Sequence, residues 1–151
     1  MYPVTPVLEQ IAQFNDHLSR WLAAGAVLKV HLYVNNFTPN PANILTDYTE
    51  EDNVNFPGYA PITITPSGTP FINAAGDTEQ IWTDPVFQPS AAPPGPQTIY
   101  GYFVTLHPVA GPDTLLYGVR FDVAKLVTLV TDAVALDPDL IQHPISSPAS
   151  Q

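Results

Sequence analysis

Strict alternation from Leu28 to Val34 constrains this chain more than any other feature. Leu28, Val30, Leu32 and Val34 fall on one side, and Lys29, His31 and Tyr33 on the other. A two-residue period belongs to a half-buried β-strand. The pattern breaks at Asn35-Asn36, and a second strand resumes at Ala60-Pro61-Ile62-Thr63-Ile64. The connection is too long for a hairpin turn. It also carries Phe37, Ile44, Leu45, Tyr48, Phe56 and Tyr59, spaced apolar groups that a free linker has no use for. The reading that follows is a crossover loop packed over the end of a β-sandwich.

The same logic extends to both sides. Thr98 to Leu106 is apolar on both faces, with Ile99, Gly101 and Phe103 on one and Tyr100, Tyr102 and Val104 on the other, as in a central strand covered twice. Gly101 between two tyrosines points to a close backbone approach or a ring packed over it. Leu115, Tyr117, Val119 and Phe121 alternate and are expected to pair with this strand across the His107 to Asp113 turn. Gln80 to Thr83 with Val86-Phe87 reads as one strand notched by Pro85, and Lys125 to Leu136 as the last strand. Ahead of all these, Thr5 caps a segment in which Leu8, Ile11, Phe14, Leu18, Trp21 and Leu22 recur at helical steps, and Gly25 is placed to end it. The expected fold class is mainly β: an antiparallel β-sandwich or barrel of about six or seven strands with one N-terminal amphipathic helix. It forms a single domain over residues 1–151, with the helix near residues 6–24 and extended arms at both termini. Tyr2, Val4, Ile141, His143 and Ile145 put apolar or aromatic groups on those arms, next to prolines that keep them extended. They are the candidate interface residues.

Composition excludes several functions. Fourteen acids stand against Arg20, Lys29, Arg120 and Lys125, for a net charge of −10. Four cations cannot track a phosphate backbone, so neither nucleic acid nor an anionic membrane is an expected partner. No apolar run approaches the ~18 residues of a membrane span, and MYPVTPVLEQ has neither the basic segment nor the apolar core of a secretion signal. With no cysteine in the chain, thiol catalysis, disulfides and Cys-based zinc sites are all excluded. The charged fraction of 12% leaves a surface of Thr, Asn, Ser, Gln and eighteen prolines rather than ion pairs.

Candidate chemistry is sparse. His17, His31, His107 and His143 lack paired ligand spacing, and His31 alternates onto the presumed outer face as a surface or interface imidazole. Asp47, Glu50, Glu51 and Asp52 read as a solvated acidic loop, because a calcium loop needs ordered oxygen ligands that this pattern lacks. No nucleophile signature surrounds Ser19, Ser67 or Ser90. The expectation is no enzyme, no catalytic residue, no metal and no cofactor. Trp82, Tyr48 and Tyr59 are the aromatics to consider for stacking on sugar rings.

Three motifs carry a resemblance: Asn36-Phe37-Thr38-Pro39, Gly58-Tyr59, and Tyr100-Gly101-Tyr102-Phe103-Val104-Thr105. In this order, and joined by LLYGVRF, they resemble a group of small phage-encoded virion structural proteins. The likeness runs from Leu28 to Phe121 and weakens towards Leu136. Two departures are the lengthened acidic loop at Glu51 to Asn55 and Tyr117-Gly118-Val119-Arg120, where the group has Trp-Ala-Glu-Arg. The resemblance implies a capsid decoration (cement) protein on the virion surface, made in the host cytoplasm. Its implied partners are the major capsid protein and further copies of itself, with a trimer favoured. The alternative is a tail- or fibre-associated carbohydrate-binding module.

Overall fold

The computed structural model describes residues 25–137 and 140–142. The expected helix near residues 6–24 lies outside them, as do Tyr2, Val4, His143 and Ile145. The fold is mainly β and antiparallel. Its main sheet has four strands in the order β2-β1-β6-β7, where β1 is Val27–Tyr33, β2 Ile62–Ile64, β6 Gln97–His107 and β7 Thr114–Val127. A three-stranded sheet joins β3 (Phe71–Ile72), β4 (Thr78–Gln80) and β9 (Leu140–Gln142), and a two-stranded one joins β5 (Val86–Phe87) to β8 (Val134–Ala135). Among the described residues no helix is long and apolar enough to cross a membrane.

Both faces of β1 are covered. On one face, Leu28, Val30 and Leu32 pack with Tyr102, Val104, Trp82, Phe87, Val127 and Val134 in the larger core, which gives the sandwich-like arrangement. On the other, Tyr33, Tyr48 and Phe103 form a second cluster against which Phe37 packs. The alternation marks β1 correctly as a strand, but the crossover loop buries the face that the sequence reads as outer. β6 and β7 form the expected hairpin, with Phe103 opposite Gly118 and Val104 opposite Tyr117.

Register explains where the two-faced run in β6 departs from simple alternation. Between Ile99 and Gly101, two steps along β6 face five along β7, from Lys125 to Arg120. A bulge of this kind turns the bulged strand and shifts its side chains. On the far side of this break in the ladder, Ile99 joins Tyr102 and Val104 in the larger core rather than sharing a face with Phe103. At Gly101 both expected reasons for a glycine are met. An added Cβ would lie 2.0 Å from the Val119 carbonyl oxygen and 2.7 Å from the Tyr33 ring.

Three boundaries differ from expectation. Lys125 to Val127 continue β7, and only Val134-Ala135 of the expected last strand form a separate strand. Gln80 and Phe87 belong to different sheets, because Pro85 lacks the N–H that would carry one ladder through. Ile141, expected to open the C-terminal arm, lies in β9 opposite Glu79.

Candidate functional site

The crossover loop reaches the sheet by replacing a strand. β2 pairs with β1 only from Leu28 to Val30, which leaves the end of β1 open on that side. There the Val34 N–H donates to the Thr49 carbonyl (2.8 Å) and the Glu51 N–H to the Leu32 carbonyl (3.0 Å). The Leu32 N–H donates to the Tyr59 hydroxyl (3.0 Å). Asn35 fastens the base of the loop: its Nδ2 donates to the Asp47 carbonyl and its Oδ1 accepts from the Thr49 N–H. Asp47 accepts from the Ile44 N–H and from Asn43, closing the short 3-10 turn Leu45–Asp47.

A polar chain then crosses the covered face. Tyr59 donates its hydroxyl proton to Glu50 Oε1 (2.9 Å), and the same oxygen lies 2.7 Å from His31 Nδ1. His31 Nε2 is 2.8 Å from Thr105 Oγ1, which lies 3.3 Å from Asp113 Oδ2. Asp113 Oδ1 ends the chain 2.6 Å from His107 Nδ1. A carboxylate only accepts, so His31 Nδ1 carries the proton shared with Glu50. Thr105 has one hydroxyl proton, which serves either Asp113 or the imidazole. The Phe103 ring lies flat on the imidazole, 4.6 Å away and 6° from parallel.

The order Glu50, His31, Thr105 has the connectivity of an acyl-transfer triad. Thr105, however, has no exposed surface, and a hydroxyl that meets no solvent meets no substrate. The network's work is mechanical: it ties the crossover loop, β1, β6 and the β6–β7 turn into one unit. His31 is thus a buried, fully engaged side chain at 5% exposure rather than a surface imidazole. In the structure His31 lies opposite Phe103 of β6; the signal available in the sequence was that Thr98 to Leu106 is apolar on both faces.

The acidic loop is likewise not uniformly solvated. Asp47 and Asp52 are exposed caps, and hydrogen bonds from the Ile44 and Asn55 N–H groups hold their carboxyls below the usual carboxylate range. Glu50 belongs to the polar chain. Glu51 is buried, its Oε2 has no partner among the described residues, and burial pushes its pKa up. No group of acids and imidazoles among the described residues is placed to hold a metal ion.

The three aromatics considered for sugar stacking are all buried: Trp82 at 1%, Tyr48 at 8% and Tyr59 at 9%. Tyr48 packs against Phe37 and Phe103, and Tyr59 against Phe56 and Phe87. Burial pushes the Tyr33 phenol up to about 12 and the Tyr59 phenol up further, so both stay neutral donors. Arg120 spans from β7 to the loop. It donates to the Phe37 carbonyl (2.7 Å) and to Asn36 Oδ1 (2.8 Å), and its guanidinium lies 5.3 Å from the centre of the Tyr100 ring. The Asn36-Phe37-Thr38-Pro39 and Tyr100-Gly101-Tyr102 motifs therefore meet through one arginine.

Comparison with family models, curated proteins and solved structures finds no match.

Large apolar side chains are exposed at several places among the described residues, among them Ile44, Val54, Val86 and Val109, and four of them lie near one another in the chain. Val123, Leu126, Leu129 and Val130 are 76%, 60%, 58% and 42% exposed, at the end of β7 and in the turn after it. Asp132 shapes that turn by accepting from the Thr128 and Leu129 N–H groups (2.9 Å each). Two of these side chains at the end of β7 and two on the hydrogen-bonded turn after it are suited to contact with another surface.

Proposed function

We propose that this chain is a structural component of a bacteriophage particle that decorates the head and bridges neighbouring capsid subunits. The observation that carries the reading is the set of four exposed apolar side chains, Val123, Leu126, Leu129 and Val130, that flank the core residue Val127. Burying it on the major capsid protein or on another copy removes apolar surface from water, at about 25 cal/mol per Å² before ordering costs. The low charge and the resemblance noted in the sequence support the same reading. The chain's surfaces supply attachment rather than catalysis.

The carbohydrate-binding alternative is less well supported, because Trp82, Tyr48 and Tyr59 offer no open ring face. Cryo-electron microscopy of the particle that carries this chain is the test. Copies arrayed on the head lattice, with residues 123–130 in contact, would support decoration. Copies confined to the tail, or contacts that avoid this run, would overturn it.

A further inference from the structure

Of the crossover-loop acids Asp47, Glu50, Glu51 and Asp52, only Glu51 is buried. It is 5% exposed, and its N–H donates to the Leu32 carbonyl (3.0 Å). With the bond from the Val34 N–H to Thr49, this closes the end of β1 that β2 leaves unpaired. Glu51 Oε1 accepts the Asp52 N–H (2.9 Å), while Oε2 is buried with no hydrogen-bond partner among the described residues. A buried polar atom left unpaired calls for a physical reason.

The groups around Glu51 are poorly suited to hold a carboxylate. Among the described residues no lysine, arginine or histidine forms an ion pair with it. Glu50 and Asp52 flank it with charges of the same sign. At the far end of the crossover, the charges of Glu50 and Glu51 both act on the Tyr59 hydroxyl. On β1, His31 is already engaged by Glu50 and, from β6, by Thr105. An uncompensated buried charge costs far more than an unpaired neutral group. Protonation of Oε2 removes the charge and leaves the bond from the Asp52 N–H to Oε1 in place. Burial pushes the carboxyl above its ordinary range against the pull of that N–H, and the Asp52 charge adds to the rise.

We propose that Glu51 is a proton-operated latch on the crossover loop. With the carboxyl neutral, residues 49–51 lie closed on β1. On giving its proton to water, Glu51 turns out to solvent and the segment lifts, uncovering the backbone of Leu32 and Val34. Two main-chain bonds are a light tether, and segments held this way open locally without unfolding the rest. A carboxyl held above its ordinary value favours closure fully below that value, and the contribution is lost as pH rises through the raised one. An uncovered strand edge is a template for pairing with another chain, so the latch sets when the end of β1 can be reached. This device is independent of the particle reading, since it operates in the protein alone.

Native-state amide exchange of the full-length protein, followed by NMR from pH 4.5 to 8 and corrected for the intrinsic effect of pH, is the test. The expected result is that protection of the Val34 and Glu51 amides falls roughly fivefold or more across that range. Urea below the unfolding transition should leave this exchange unchanged, as for a local opening, while it lowers protection of the Tyr102 to Val104 amides in β6. In Glu51→Gln, which keeps the shape and removes the charge, the pH dependence should shrink to less than about twofold. Protection that is constant with pH in the parent overturns the proposal, as does exchange at Val34 and Glu51 that responds to urea as β6 does. Both of these readouts need only the parent protein. A pH dependence that survives in Glu51→Gln also overturns it, because His31 and Glu50 are still present there to cause it.

Discussion

Replacing Tyr59 by phenylalanine removes one oxygen and leaves the ring in place. That oxygen accepts the Leu32 N–H at 3.0 Å and donates to Glu50 at 2.9 Å. Leu32 has no exposed surface, so its N–H loses its acceptor where no water can replace it. An orphaned buried donor costs about 1–3 kcal/mol. The lost bond to Glu50 adds less than its full value, because His31 still holds the same carboxylate. Together the loss is about 3 kcal/mol, or roughly 6–12 °C in Tm for a domain of this size. Tyr48→Phe is the matched control. Its hydroxyl has no partner among the described residues, so the change should stay within about 0.5 kcal/mol. Both variants are measured by urea denaturation in dilute monomer and compared at equal m value. A Tyr59→Phe protein within 0.5 kcal/mol of the parent, or two variants equally destabilised, would refute the claim that this hydroxyl substitutes for a strand.

Gly101→Ala should be among the most damaging single substitutions, costing on the order of 4 kcal/mol or preventing folding, because its Cβ meets the Val119 backbone carbonyl at 2.0 Å. Yield and thermal melting report it. Trp82→Ala should cost about 3–5 kcal/mol through the cavity it opens in the larger core, read by the same denaturation assay. Glu51→Gln should stabilise the fold at pH 7 and lose that advantage in acid. The folded pKa of Glu51 is raised, so its stability contribution is present at low pH and lost as pH rises through the folded value. A melting profile against pH that is parallel for both proteins would contradict this. Asp132 has the opposite sign. Its lowered pKa contributes stability above the ordinary carboxylate value of 3.8 and loses it as pH falls below, so Asp132→Asn should flatten the acid limb.

Much of the fold was legible because period-2 patterns survive without tertiary information. Leu28 to Val34 reads as a strand, and Thr98 to Leu106 reads as covered on both sides. What the pattern cannot show is which element does the covering. His31 looks exposed if β1 is considered alone. It is buried because Tyr33 and Phe103 attract Phe37 and Tyr48 from a loop that begins only a few residues later. Of the aromatics singled out for ligand stacking, Tyr48 and Tyr59 went to the cores for the same reason, since a crossover of this length needs anchors, and Trp82 fills the larger core from outside the crossover. The acidic loop separated into caps, a network member and one buried carboxyl according to local hydrogen-bond donors, which composition does not encode.

The tie between His31 and Thr105 spans 74 residues, and the one between Phe37 and Arg120 spans 83. Contacts this distant along the chain belong to slowly folding β-topologies. During synthesis at about 5–20 residues per second, His31 waits roughly 4–15 s before Thr105 is even made. Through that interval Tyr33, Phe37 and Tyr48 have no β6 to cover, and β1 has at most the three-residue β2 to pair with. The chain's greatest exposure to misassociation thus precedes the finished protein, and the nascent stretch from β1 to the crossover is where a chaperone would be needed most.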